Sequence, residues 1–455
     1  MSNTRRQFLR KSAATGTALS LPLFWRQADG ARQQANDRKT VASVGVGGSR
    51  GRYSRGGSIA MQASELGQTI AVCEVDQTHN EEFNAKFDNQ LYMFTDYRDM
   101  LEKTSPDIVT IGTPDHWHTP IAIAALRAGA DVYCEKPLTL TIEEGQRISQ
   151  VVKETGRVFQ VGTQQRSEMD LKFLQAVAMV REGYIGDNVT AHVAVGGAPA
   201  GGPFEATAPP PELDWNMWLG PAPEALYMEE RRKMFRWFFE YSGGKMTDWG
   251  AHHIDIAQWA LGNEHSGPVK ATGIGKFPPT VPDNFDFSRW LAGEIFLPNG
   301  YNAPMEFDIE LDYGNGTKMT VHDHYSRDES DKGFQNGILF EGSAGRFFVN
   351  RGKLTGKPVE SLTEADKQKL EDVMADLYGG EPTKHMQNFF NCIDSRQDPV
   401  SDVHTHHRTM TTCHMCNIAL MLRRELTWDP AKEEFIGDDQ ANAMKTRPSR
   451  PGFST

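Results

Sequence analysis

The side chains best suited to chemistry are Lys136, which closes a short apolar run at Glu135-Lys136-Pro137, and a group in the stretch from Gly243 to Trp259. Pro137 restrains the backbone beside the lysine. A lysine held at the rim of a crevice can donate a hydrogen bond to a substrate hydroxyl and help remove its proton. In the second group, at about 100° per helical residue, Asp248, His252 and Asp255 fall on one narrow stripe, with Ile254, Ala257 and Leu261 opposite. A histidine one turn from a carboxylate is an oriented acid or base that titrates near the working pH. The stripe is therefore expected to be a site, and His253, which points elsewhere, to be structural.

The elements around Lys136 suggest how it is positioned. Ile108 to Leu140 reads as a strand, an Ala-rich helix and a second strand, the size of one parallel βαβ unit. Ligands of open α/β sheets sit beyond the carboxyl ends of the strands. Thr113-Pro114-Asp115-His116-Trp117-His118 and Glu135-Lys136-Pro137 occupy two such ends, so both should face one crevice, with at least one of His116 and His118 lining it. Upstream, Thr40 to Gly45 reads as a strand entering Gly45-Val46-Gly47-Gly48-Ser49-Arg50-Gly51-Arg52. Glycines there let the backbone turn tightly and approach a pyrophosphate, whose charge Arg50 and a helix N-terminus can offset. The G-x-G-x-x-G pattern fails by one residue, because Arg50 stands where the third glycine belongs.

The next predicted strand, Thr69 to Val75, brings Glu74 to its end. A carboxylate there accepts hydrogen bonds from the adenosine ribose and repels a 2′-phosphate, favouring NAD over NADP, although Arg50, Arg52 or Arg55 could reach such a phosphate. Helices are expected from about Asn80 to Phe87, up to Lys103 and from Ile142 to Thr155, and a strand from Val158 to Gly162, completing a doubly wound parallel sheet. Arg166 follows the last strand and could meet cofactor or substrate. Residues 196–225, rich in Gly, Ala and Pro, read as a long surface excursion. Residues 291–356 alternate apolar and polar as in an antiparallel sheet, residues 383–426 read as helical, and the last thirty as irregular.

Composition bounds the rest. With 455 residues, two to three domains are expected. The apolar fraction of 38% belongs to a globular protein without a membrane span. Residues 1–38 hold seven Lys/Arg against two Asp/Glu, so the chain's net charge of −12 understates the acidity of the remainder, which argues against nucleic acid as a partner. Five scattered cysteines make no disulfide framework. Cys413 and Cys416, with His404, His406, His407 and His414, fit a zinc pattern, but they lie in the apolar run Met410 to Leu422 and read as helical core, so no metal is expected. Thr4 to Lys11, TRRQFLRK, followed by a weakly apolar run, is a twin-arginine export signal that predicts a periplasmic destination.

With GVGGSRGR, CEVD, TPDHWH, EKP and DWGAHHID assembled, the chain resembles the glucose-fructose oxidoreductase/inositol dehydrogenase/rhizopine catabolism protein family. LDWNMWLGPAP is similar to a twin-arginine-exported bacterial branch of it. The resemblance implies a leader over residues 1–38, a Rossmann domain over 39–163, and a C-terminal α/β domain over 164–455 whose open antiparallel sheet supports dimers or tetramers. It implies that Lys136 contacts the reacting hydroxyl, that His252 accepts the proton with Asp248 orienting it or binding substrate, and that Asp255 contacts substrate. Gly45, Gly47 and Glu74 would bind the dinucleotide, while Thr113, Pro114, His118 and Glu135 line its nicotinamide side. The activity expected is a nicotinamide-dependent oxidation of a ring hydroxyl on a sugar, a cyclitol or a derivative. Because free NAD is scarce outside the cytoplasm, tight binding of the dinucleotide is expected too. The alternatives are a redox-neutral glycoside hydrolase that uses bound NAD, and a carbohydrate-binding protein without activity.

Overall fold

The computed structural model of the protein describes residues 38–48, 54–328 and 330–453. The predicted export signal and Arg50 lie outside the described residues. Two sheets carry the fold. The first has six parallel strands in the order β3-β2-β1-β4-β5-β6, with β1 at Thr40–Val44, β2 at Gln68–Cys73, β3 at Tyr92–Phe94, β4 at Ile108–Ile111, β5 at Asp131–Cys134 and β6 at Phe159–Val161. Five helices alternate with these strands: α1 at Arg55–Leu66, α2 at Gln77–Asn84, α3 at Tyr97–Thr104, α4 at His118–Arg127 and α5 at Ile142–Thr155. Four of them start on a side chain that accepts an orphan backbone N–H, namely Ser54, Asp76, Asp96 and Thr141. Strand order reverses between β1 and β4, and that reversal opens a crevice at the carboxyl ends.

The crevice depends on close contact between α1 and the strands beneath it. A Cβ on Gly56 would lie 1.7 Å from the carbonyl oxygen of Gly45, and one on Gly112 would lie 2.2 Å from the Cα of Gly56. Gly56 therefore does the close-packing work of the third glycine that the sequence pattern lacks. Gly56→Ala is expected to push α1 off β1, lowering stability by about 1–3 kcal/mol and weakening dinucleotide binding. Thermal melts and titration with reduced nicotinamide dinucleotide read the two effects, and an unchanged variant would refute the packing role.

The second sheet has nine strands in the order β13-β12-β11-β7-β10-β9-β8-β14-β15. They are β7 at Thr190–Ala194, β8 at Lys270–Lys276, β9 at Glu306–Asp312, β10 at Lys318–His322, β11 at Gly337–Gly342, β12 at Gly345–Val349, β13 at Leu354–Thr355, β14 at Leu426–Asp429 and β15 at Glu434–Phe435. It is mixed rather than purely antiparallel, because β7 and β10 pair in parallel. In β9 the side chains alternate, with Phe307, Ile309 and Leu311 buried and Glu306, Asp308 and Glu310 exposed. The inner face packs into a core with α6 at Lys172–Arg181, α9 at Gly250–Ala260 and α11 at Val403–Leu422; α7 at Trp215–Leu219, α8 at Gly244–Asp248 and α10 at His385–Ser395 complete the helices that matter here.

Two segments depart from expectation. The last thirty residues are not irregular throughout: β14 and β15 extend the large sheet and bury Trp428 and Phe435. Strands of two to four residues are too short for a period-2 pattern to reveal. Residues 196–225 do more than cross the surface. Asp214 N donates to Val75 O and Gln77 N to the Glu212 carbonyl, each at 2.9 Å, so the segment returns to the end of β2 and buries Leu213, Trp218 and Leu219 there. Helix α10 likewise packs back, placing Met386, Phe389 and Phe390 against Val41, Ile59, Ile108 and Tyr133 of the parallel layer.

Candidate active site

A cavity of about 730 Å³, within the range of small-molecule sites, follows the carboxyl ends of β1, β2, β4 and β5 and reaches the N-terminal half of α9. Its wall includes Gly45, Gly47, Gly48, Glu74, Thr113, Pro114, His118, Glu135, Lys136, Asp248 and His252. The sequence order separates the last two from Lys136 by more than a hundred residues, and the crossing of the two layers brings them together.

The glycine end has the form of a dinucleotide cradle. Gly45 takes a φ of +75°, and a Cβ there would strike Thr113 at 2.7 Å; a Cβ on Gly47 would meet the His79 ring at 2.1 Å. Only glycine leaves room for a ligand at these positions. The Glu74 carboxylate accepts from Gly47 N and from Val75 N, both at 2.9 Å, and thereby ties the glycine turn to the end of β2. Arg55 Nε donates to Glu135 Oε1 at 2.8 Å, at the β5 end. Gln164 also donates to that oxygen at 2.8 Å. The buried Thr113 Oγ1 has no hydrogen-bond partner among the described residues, a donor and acceptor in the cavity wall suited to a bound polar group. The space left by Gly45 and Gly47, the Glu74 carboxylate and the Thr113 hydroxyl together fit the size and polarity of a nicotinamide dinucleotide.

At the other end, Lys136 Nζ donates to Asp248 Oδ1 at 2.5 Å and to the Asp248 carbonyl at 2.9 Å. Arg236 Nε lies 3.0 Å from the same carboxylate and Lys245 Nζ 3.6 Å from its other oxygen. Burial alone would raise the Asp248 pKa, but Arg236, Lys136 and Lys245 outweigh it and hold the carboxyl well below its ordinary range. His252 is held well below the usual imidazole value, first by burial and then by the charges of Lys136 and Arg351. At neutral pH it is uncharged, and its buried Nδ1 has no partner among the described residues. An ammonium fixed by a carboxylate and a neutral imidazole thus line the same cavity.

Several expectations need correction. Asp248 does not orient His252: its hydrogen bond goes to Lys136. Asp255 and Arg166 do not line the cavity. They pair with each other in a buried bidentate contact, Nε to Oδ2 at 2.8 Å and Nη2 to Oδ1 at 2.6 Å, supplemented by Thr409 and the Val400 carbonyl. The reason is that α8 and α9 are offset at Trp249 and α9 is buried on every side, so no solvent face exists for a stripe to occupy. Asp255→Ala would leave a buried guanidinium without its partner and is expected to cost about 3–5 kcal/mol of stability, while substrate KM in the surviving protein stays within about twofold. Denaturant midpoints and steady-state kinetics separate these outcomes, and a large KM effect with normal stability would restore the substrate role.

Of the histidines in TPDHWH, His118 lines the cavity and ties Pro137 O and Thr113 O together. His116 faces the other way, bonding Trp218 O at 2.9 Å. His253 bonds Asn336 and sits between Phe173 and Trp249, a structural position. Cys413 and Cys416 are free thiols buried inside α11. Residues that sequence reading missed are Arg236, Lys245, Trp237 and Trp249; for Arg236 and Trp237 the run Arg231-Arg232-Lys233-Met234-Phe235-Arg236-Trp237 was the signal, a dense basic and aromatic stretch in an acidic chain.

A family model described as an oxidoreductase family with an NAD-binding Rossmann fold matches residues 39–163, and a companion model of that family's C-terminal α/β domain matches 202–275 and 341–455. The scyllo-inositol 2-dehydrogenase (NAD(+)) of Bacillus subtilis is 31% identical over 166 residues, 36% of this chain and 38% of that protein. The D-glucoside 3-dehydrogenase of Escherichia coli is 25% identical over 266 residues, 56% of this chain and 66% of that protein. The inositol 2-dehydrogenase of Salmonella typhimurium is 28% identical over 126 residues, 28% of this chain, and there the match spans only 37% of the relative's length. Among solved structures, the WlbA dehydrogenase from Bordetella pertussis, in complex with NADH and UDP-GlcNAcA, superposes with a TM-score of 0.58 at 16% identity, covering 86% of this chain and 98% of that one. The myo-inositol 2-dehydrogenase from Lactobacillus plantarum gives 0.55 at 18%, covering 86% and 99%. At such identities what is shared is the fold.

Proposed function

The chain belongs to this oxidoreductase family with its NAD-binding Rossmann fold, and from that premise we propose that it oxidises a ring hydroxyl of a sugar, a cyclitol or a derivative with NAD as hydride acceptor. The observation that carries the reading is the convergence of Lys136 and His252 on the cavity whose far end is the glycine cradle. Lys136, anchored by Asp248, donates a hydrogen bond to the substrate hydroxyl and stabilises the developing alkoxide. His252, neutral because it is buried beside Lys136, accepts the proton. Bound NAD supplies the site that takes the hydride. Trp237 and Trp249 give the wall apolar surface against which a sugar ring can lie.

Two features support NAD over NADP. Glu74 stands at the end of β2, and Arg55 is engaged by Glu135. The same proposal includes export by the twin-arginine route, supported by Thr4 to Lys11, retention of the dinucleotide through turnover, and self-association through the exposed face of the nine-stranded sheet. Protein purified after export should carry bound dinucleotide, and inositols and glucosides tried in turn should develop reduced-nicotinamide absorbance with one of them. Protein that neither carries nor binds the dinucleotide would overturn the proposal. Cleavage of a chromogenic glycoside without an added electron acceptor would move it to the redox-neutral hydrolase.

A further inference from the structure

The reaction end of the cavity holds more positive charge than its chemistry requires. Lys136, Arg236 and Lys245 share one carboxylate, Asp248, as their single salt-bridge partner among the described residues. Lys136 alone suffices to polarise a hydroxyl. Arg236 and Lys245 line the cavity and keep 29% and 24% of their side-chain surface exposed against 12% for Asp248, so both cations are more accessible to a ligand than the carboxylate they accompany. At 3.6 Å, Lys245 is beyond normal hydrogen-bonding distance of Asp248. Its ammonium is steadied by the rings of Trp237 at 5.6 Å and Trp249 at 5.9 Å.

The other acids nearby offset this surplus only in part: Asp115 and Glu135 both favour the Arg236 charge, but neither forms an ion pair with the three cations among the described residues. Glu135 is held by Arg55 and Gln164. Asp115 is fully buried against Ser242, and burial raises its pKa toward the neutral form. Glu168 lines the wall without an ion pair to any of the three cations among the described residues. A chain of net charge −12 repels anions as a whole, so a local cationic patch inside its cavity selects for an anion that enters and stays.

We propose that the substrate is an anionic sugar derivative, its ring bearing a carboxylate or phosphate group that Lys245 and Arg236 receive while Lys136 and His252 act on a hydroxyl. The inference rests on the assignment of this cavity to sugar oxidation, and it adds the charge of the substrate. A neutral ring would leave these two half-buried cations with Asp248 as their single ion-pair partner among the described residues, whereas an acidic substituent satisfies them and fixes which hydroxyl meets Lys136.

The test is equilibrium binding to the dinucleotide-loaded full-length protein, read by intrinsic tryptophan fluorescence or by calorimetry. The probes are methyl β-D-glucuronide, D-glucose 6-phosphate and methyl β-D-glucoside. At least one anion should bind about tenfold or more tightly than the glucoside, and whichever binds more tightly names the acidic group. The preference should shrink with added salt and fall toward unity in Lys245→Gln. A glucoside that binds wild-type protein as tightly as both anions would overturn the inference whether or not the variant folds, and would leave the oxidoreductase proposal standing. Absence of dinucleotide binding would instead strike that earlier proposal.

Discussion

Replacing Lys136 by alanine is expected to lower kcat by about 10²- to 10⁴-fold, the range over which one positioned acid/base group acts, while dinucleotide binding changes little. The fold should survive because Asp248 keeps Arg236 and Lys245 as partners. A second readout separates a chemical role from a structural one. Lys136 is the largest contributor after burial to the low pKa of His252. Removing its charge makes the imidazolium easier to form, so the residual activity of the variant should lose its acid limb at a higher pH than wild type does. In wild type that limb should lie well below 6.5, because His252 stays neutral there. A variant with unchanged turnover, or with its acid limb displaced downward, would refute the assignment of Lys136 and His252 as a coupled pair.

The second large effect concerns acid. Burial lowers the pKa of His116, His406 and His414 to about 3 and of His253 and His385 to about 4, and lowers His252 as well. These rings hold elements together as neutral groups: His385 bonds Val161 O at 2.8 Å, His414 bonds Thr139 O, and His406 accepts from Leu138 N beside Lys136. In the unfolded chain they regain a pKa near 6.5 and take up protons that the folded state refuses. The stability they provide is therefore complete above about pH 6.5 and is lost as pH falls toward 4 and 3, by up to about 1.4 kcal/mol per pH unit for each ring. Two buried carboxyls, Asp115 and Glu144, have raised pKa values and act in the opposite sense. The rings outnumber these two groups, so net proton uptake on unfolding is expected at pH 5. Denaturant midpoints between pH 7 and 5, with proton uptake measured in weakly buffered solution, test this. Stability that does not change over that interval would contradict neutral burial of these histidines.

Both predictions concern groups whose type was legible in the sequence and whose surroundings were not. The parallel layer could be read from short apolar runs, each followed by a helix, because strands buried on both faces carry their burial in their own composition. Glu135-Lys136-Pro137 and Thr113-Pro114 could be placed at strand ends for the same reason, and Glu74 at the end of β2. The extent of the large sheet could not, since β14 joins it through β8, far away along the chain, and β15 joins it only through β14. Nor could Gly56 be found by pattern, since its requirement comes from Gly45 and Gly112 pressing against it and not from the residues on either side.

The active-site residues divide along the same line. Local sequence determined that Lys136, Asp248 and His252 are available for proton transfer, because residue type and the ends of elements are properties of short segments. Only the tertiary structure decided that Asp248 holds Lys136, that Asp255 is committed to Arg166 deep in the core, and that Arg236 and Lys245 join the site. Hydrogen bonds and charge interactions act over a few ångströms of space, and which groups come that close is fixed by how two sheets and their helices pack, at sequence separations that no periodicity encodes.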